Sequence, residues 1–463
     1  MKSIYRELIT NTMIFGLGSI GAKAVLFFMV PLYTMYLRPE ELGVADLIIT
    51  TSEFAVPICT LAISNALYRY AFDPKYDDKE VLKCYYLVYI VSIVIALIVT
   101  NLWIVLGSYP QYAKNLFFLI CFSALNESYG LYVKARGNSV IYSLNNILQI
   151  MLQSVFIIVF VVVLRQSTNG YVFSIIIARL ISILFLFKFG KSPVIVSVND
   201  FDRELLMEML KFSAPLVLNS VFWGLISSID RYMLAIYLDV ASVGLYNVAA
   251  KIPSLLSTLV SIFIQAWTIS AYKEYEKGNN KIYLKVYNYF NLFMCSFASF
   301  LIVISRVFLK YYVAEDYIEA ADYIPCLLLS AFFLGYSSFF GVVFSAVKKS
   351  GILAMSSFFA VLLNICLNYF LIINIGVLGA AVSTVICYSV IACIRGVQAQ
   401  TYINCSILDF KLAFALIILG MQTILITLYP YVEHYNFIGT ILILYMYKKE
   451  ILIIIYNTKE KLF

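Results

Sequence analysis

Four cations lie inside apolar runs of this 463-residue chain: Lys23, Arg179, Arg231 and Lys251. Hydrocarbon solvates charge poorly, so a cation there faces a polar cavity or a partner. At about 2.5–3.5 kcal/mol for each central charge, four facing lipid would cost roughly 10–14 kcal/mol. Their nearby acids, Glu53, Glu127 and Asp230, are fewer. A net positive cavity suits an anionic group with several oxygens, which Arg and Lys hold by charge-assisted hydrogen bonds. Lys23, at mid-run, is expected to line such a cavity. Asp230 and Arg231 are helix neighbours that point about 100° apart, so they cannot pair face to face. Arg231 either contacts a ligand or locks the structure, and its length also lets it snorkel outward. Arg179 sits in an otherwise lipid-like run and is expected to pair with a buried carboxylate.

Asn145, Gln149 and Gln153 follow one helical face at i, i+4 and i+8, and Asn364 and Asn368 repeat the spacing later. Amides both donate to and accept from hydroxyl-rich ligands. The alternative is hydrogen bonding between helices, worth about 0.6 kcal/mol each in a membrane. The sequence holds no carboxylate cluster, His dyad or phosphate-binding loop, so enzymatic chemistry is not expected. The 9 Cys are scattered singly and the one His, His434, stands alone. A metal site needs several convergent ligands, so neither metal nor cofactor is expected.

The elements that must position these residues are membrane helices. The chain is 62% hydrophobic and only 13% charged, with mean hydropathy +0.90; a soluble chain is about 25% charged. The expected fold is an all-α polytopic membrane protein of about fourteen spans, since about 20 apolar residues cross the hydrocarbon. Relevant spans are 12–36, 44–67, 141–164, 212–237, 243–270, 352–373 and 432–447. With the N-terminus in the cytoplasm, 24 of the 33 Lys and Arg fall on the cytoplasmic side, 5 outside and 4 within spans. That asymmetry follows the positive-inside rule and places both termini in the cytoplasm. It also explains the net charge of +7 without nucleic acid. The polar N-terminus runs straight into a long span with no cleavage site, so no removed leader is expected.

The two halves share a plan. Tyr36-Leu37, four residues, then Leu42-Gly43 matches Tyr237-Leu238, four residues, then Val243-Gly244, at a constant offset of 201. Arg6-Glu7-Leu8 and Arg203-Glu204-Leu205 precede the two units. An even span count in each half makes the repeat parallel. The expected organisation is a six-helix lobe over 1–190, a linker at 191–211, a second six-helix lobe over 212–395, two further helices over 396–447, and a basic tail at 448–463. That tail either lies on the anionic inner leaflet or extends the last span.

The chain resembles the polysaccharide flippases, the Wzx-type exporters of the multidrug/oligosaccharidyl-lipid/polysaccharide superfamily. The carrying residues are Arg6-Glu7-Leu8 with Asn11-Thr12 before Phe15-Gly16-Leu17-Gly18-Ser19; Pro31-Leu32-Tyr33-Thr34 before Tyr36-Leu37; Ala66-Leu67-Tyr68-Arg69-Tyr70; Phe212-Ser213-Ala214-Pro215 with Asp230-Arg231-Tyr232; and Val377-Leu378-Gly379-Ala380-Ala381. The resemblance implies two six-helix lobes around a cavity, alternating access, and export of an undecaprenyl-diphosphate-linked oligosaccharide in a bacterial cytoplasmic membrane. Lys23, Lys251, Arg231 and Arg179 would then be the diphosphate candidates, the amide faces the glycan candidates, and membrane lipids, a polymerase and glycosyltransferases the partners. One rival is an ion-coupled multidrug antiporter of the same superfamily, which would want an acidic or apolar cavity. Another is a membrane glycosyltransferase or polymerase, which would want a catalytic group in an extended aqueous loop.

Under the 201-residue offset, Lys251 corresponds to Thr50 and Ser254 to Glu53. Glu53 and Lys251 are therefore expected at nearly equivalent depths, as a gating pair, and Asp230 is a further gating or coupling candidate. Lys251 would be released to attract diphosphate when the outer side opens.

Overall fold

The computed structural model describes residues 21, 23–73, 75–105, 109–190, 201–276, 280–347, 349–403, 409–429 and 436–453. Every regular element among them is helical. This follows from the solvent: an apolar chain in hydrocarbon must satisfy its own N–H and C=O groups, which a helix does within one segment. The helices are α1 (Lys23–Thr34), α2 (Pro39–Cys59), α3 (Ile63–Phe72), α4 (Asp78–Val105), α5 (Ala113–Ala135), α6 (Ser139–Ile157), α7 (Ser167–Phe189), α8 (Arg203–Tyr237), α9 (Val240–Ala249), α10 (Lys251–Glu276), α11 (Asn280–Tyr312), α12 (Ile324–Ala346), α13 (Ser350–Ile375), α14 (Val377–Ile403), α15 (Phe410–Leu428) and α16 (Phe437–Met446).

Twelve of the described helices are long and apolar enough to cross a membrane. The other two of the fourteen expected spans are the first and the last. The first begins outside the described residues and appears as the 12-residue α1; the last is represented by the 10-residue α16. His434, residues 191–200 of the expected linker and the tail beyond Ile453 also lie outside the described residues. The rest of the linker differs from expectation. Asp202 Oδ1 accepts from the N–H groups of Glu204 (2.8 Å) and Leu205 (3.1 Å), an N-cap that starts α8 at Arg203.

Two expected spans are broken. The second divides into α2 and α3, with Leu61 and Ala62 at φ 51° and 50° between them. Pro57 lies within the last turn of α2 and has no N–H for the carbonyl of Glu53 four residues back. The eighth divides into α9 and α10, because Pro253 cannot donate to the carbonyl of Ala249.

The chain forms two compact units, Met1–Tyr232 with Val240–Gly244 and Met233–Asp239 with Leu245–Phe463. In the first, α5 and α7 pack together and against α2, α3 and α6. Its core gathers Ile63, Leu67, Val81, Tyr85, Tyr129 and Met209, all fully buried. In the second, α12 is the central helix, packed on α10, α11, α13 and α14. Phe339 stacks on Phe290 at 5.0 Å and on Trp267 at 6.0 Å. On the outside of the first unit α4 exposes Ile90, Val94, Leu97 and Ile98, the apolar face a helix turns to lipid.

Candidate functional site

Four helices of the first unit supply one polar cluster. Glu53 comes from α2, Ser123, Asn126 and Glu127 from α5, Gln149 from α6 and Arg179 from α7. They line a cavity of about 310 Å³ among otherwise apolar segments. Arg179 lies within electrostatic reach of both Glu53 and Glu127. Its Nη1 is buried and makes no hydrogen bond among the described residues. Arg179 thus shares its cavity with the two carboxylates of Glu53 and Glu127. The lining residues include two acids and one base, where the count over whole spans indicated more bases than acids.

Amides frame the cavity. Asn126 Nδ2 donates to Gln149 Oε1 at 2.8 Å. The Ser182 hydroxyl, one turn from Arg179 on α7, stands 2.8 Å from Asn126 Oδ1 and 2.7 Å from Asn145 Oδ1. One hydroxyl proton serves one acceptor, and turning the Asn145 amide lets its NH₂ donate to Ser182. Asn145 is therefore a buried strut behind the cavity, Gln149 lines it, and Gln153 is half-buried further along α6. Asn364 and Asn368 are buried in the second unit. Asn368 Nδ2 donates to Asn364 Oδ1 at 3.1 Å and its Oδ1 accepts from the Ser383 hydroxyl of α14. This joins α13 to α14, the helix-to-helix alternative raised by the spacing.

The partner of Arg231 was not among the acids considered from sequence. Arg231 Nε lies 2.7 Å from Asp46 Oδ2 on α2, an ion pair without an aligned hydrogen bond at those two atoms. Beside it, Thr51 Oγ1 and the Tyr232 hydroxyl are 2.8 Å apart. Asp230 is buried, on a different face from Arg231. Asp46 sits two residues inside the expected second span, so its position gave the signal. Below this pair in sequence lies a reciprocal contact. A Cβ on Gly43 would meet the Val240 carbonyl oxygen at 1.9 Å, and one on Gly244 the Pro39 carbonyl oxygen at 2.0 Å. Gly43 and Gly244, and Pro39 and Val240, are each separated by the same 201 positions.

Lys23 is exposed on α1 in the first unit. Lys251 opens α10 in the second unit, half-buried, while Glu53 belongs to the first. A further buried cation went unrecognised: Arg395, the last residue of the expected second lobe, is 6% exposed within α14. Its Nε donates to Ser356 Oγ at 2.9 Å, its Nη1 to Ser337 Oγ at 2.9 Å and its Nη2 to Ser357 Oγ at 2.9 Å. The helix continues past the expected lobe boundary at residue 395 to Ile403, through a polar stretch that gives no sequence signal of burial.

The family described as "Polysaccharide biosynthesis protein" matches residues 8–269. No curated protein matches the chain. Among solved structures, the lipid II flippase MurJ in an inward closed conformation is similar at 15% identity, covering 95% of this chain and 100% of that one, with TM-score 0.67. An inward-facing multidrug-resistance MATE transporter of the MOP superfamily is similar at 14% identity, covering 83% and 94%, with TM-score 0.63. A MOP-superfamily transporter from Pyrococcus furiosus, described by the reverse polarity of its binding pocket, is similar at 16% identity, covering 85% and 94%, with TM-score 0.53. With an all-helical multi-span fold, charged groups set among apolar helices and a family match over more than half its length, the chain belongs to the polysaccharide biosynthesis protein family and has the fold of the MOP-superfamily flippases and transporters.

Proposed function

We propose that the protein flips an undecaprenyl-diphosphate-linked oligosaccharide across the bacterial cytoplasmic membrane, for a surface polysaccharide such as O-antigen or capsule. The observation that carries this reading is a charged, amide-framed cavity inside a membrane protein of the polysaccharide biosynthesis family. Lys23 and Lys251 are the diphosphate ligands. Arg231, held by Asp46 in this state, joins them when that pair parts. Arg179 balances Glu53 and Glu127 and contributes to the headgroup path. Gln149 and Gln153 meet the glycan, with Asn145, Asn364 and Asn368 supporting the faces. Glu53, with Asp230, couples movement to charge and pairs with Lys251 on closure. Both termini are cytoplasmic, and glycosyltransferases and a polymerase supply and consume the cargo.

One observation favours a second reading. Two acids and one base line the cavity, and an excess of acid is what an ion-coupled antiporter for cationic compounds requires. Proteoliposomes separate the two. A fluorescent undecaprenyl-diphosphate oligosaccharide should change leaflet with the wild type and not with Lys23→Gln. Export of organic cations down an ion gradient, with no movement of the lipid-linked sugar, would replace the flippase by the antiporter.

A further inference from the structure

A groove lies between α13 and α14 in the second unit, far along the chain from the charged cavity. Its volume is about 560 Å³, and its walls are Ile352, Met355, Phe359 and Ile394, with Lys349 and Gln398 at the polar end. Lys349 is the residue before α13, so the charged end of the groove lies at a helix end and the apolar part runs along the span. This is the arrangement of an interfacial headgroup with a chain below it.

Three features give the polar end a positive character. Lys349 Nζ donates to the Tyr402 hydroxyl at 3.1 Å and sits 5.0 Å from the centre of that ring, which uses one of its three N–H donors. No Asp or Glu is among the lining residues. Behind the wall is Arg395, whose guanidinium is held by serine hydroxyls and the carbonyls of Ser337 and Leu353. Ser356 both accepts from Arg395 Nε and lines the groove. Neutral oxygens satisfy hydrogen bonds without cancelling charge, so the field of Arg395 persists in a low-dielectric wall.

We propose that this groove binds one anionic phospholipid, its phosphate at Lys349 and one acyl chain along Ile352, Met355 and Phe359. Basic pockets between membrane helices select anionic headgroups, at about 1 kcal/mol per Lys or Arg near the surface. A long prenyl chain would overrun a groove of about 560 Å³ and leave most of its length outside, so the occupant is a bilayer phospholipid and not the transported cargo.

Thermal unfolding of the full chain in neutral detergent tests this, with phosphatidylglycerol, phosphatidylcholine or inorganic phosphate added. Phosphatidylglycerol alone should raise the Tm saturably. Lys349→Ala should raise the half-saturating concentration about fivefold, the loss of one lysine's attraction, and Lys349→Arg should restore it. Met355→Trp, which fills the apolar part, should abolish the rise with Lys349 intact. Native mass spectrometry should find one retained phosphatidylglycerol on the wild type and fewer on Lys349→Ala, whichever way the variants' own stability moves. The proposal falls if phosphatidylcholine stabilises equally or if phosphate alone suffices, which would mean a free-anion site. It also falls if Lys349→Ala behaves as wild type, or if undecaprenyl phosphate displaces phosphatidylglycerol at equal concentration. None of these readouts involves transport, so they stand apart from the flippase reading.

Discussion

Gly43 and Gly244, 201 positions apart, each pack against the backbone at the start of the other's helix. Neither site has room for a methyl group: the nearest atoms are carbonyl oxygens of Val240 and Pro39, and backbone cannot swing aside as a side-chain tip can. The contact is reciprocal, with Gly on each side serving as the residue that permits close approach. Gly43→Ala or Gly244→Ala should force this contact apart. In a background without reactive thiols, Thr51→Cys should then label severalfold faster with an impermeant reagent from outside, and glycan export should fall at unchanged abundance. Unchanged labelling and export would remove the contact from any role in closure.

The Asp46–Arg231 pair predicts a rescue. Arg231→Gln leaves a carboxylate that is almost wholly buried, and Asp46→Asn leaves a guanidinium about a fifth exposed. Each should destabilise by about 3 kcal/mol, near the lower end for breaking a buried pair, because Arg231 keeps some solvent. The swap Asp46→Arg with Arg231→Asp should recover part of both stability and export. A double variant no better than the worse single one would mean that the two charges act separately.

Arg179→Gln should remove the cation that lines the cavity with Glu53 and Glu127. Loss of export and a lower Tm are expected, and adding Glu127→Gln should restore the Tm. If the double variant is as unstable as Arg179→Gln, the guanidinium is needed for packing and not for charge balance.

Lys23 separates ligand from scaffold. Lys23→Gln should abolish export at normal abundance and Lys23→Arg should keep part of it, since either cation holds phosphate. Full export by the Gln variant would make Lys23 dispensable for the headgroup.

The orientation rests on the basic asymmetry. Reporter cysteines at Gln111 and Asp316, both exposed, should react with an impermeant maleimide from outside. Those at Lys79 and Glu204, also exposed, should react only after the membrane is opened. Outside labelling at Glu204 would invert or break the assigned topology.

Span identity was legible because hydropathy reports directly on solvent: α13, Ser350–Ile375, falls almost where the apolar run 352–373 begins and ends. The setting of Arg179 was legible too, since a lone cation in a lipid-like helix needs polar surroundings, and it lines the cavity with Glu53 and Glu127. Asp46 and Arg395 were harder for one shared reason. Both lie close to expected span boundaries, where a charge reads as solvated, and only packing shows that they are buried. The amides show a different limit. Spacing puts Gln149 and Asn145 on one helical face, but which of them meets a cavity and which meets Ser182 depends on neighbouring helices that a single strip of sequence does not contain.

The break at Leu61 and Ala62 makes the second span a lever on a fixed footing. Below it, Ile63 and Leu67 are clamped in the core with Val81, Tyr85 and Tyr129; above it, α2 carries Glu53 and then Asp46. At 1.5 Å per residue, Glu53 stands about 12 Å up the arm and Asp46 about 22 Å. One small rotation at the break therefore gives unequal strokes, and the tip travels nearly twice as far as the middle. Such a rotation would part Asp46 from Arg231 while Glu53 had moved only half that distance within its cavity, so unlatching at the tip would precede rearrangement at the centre.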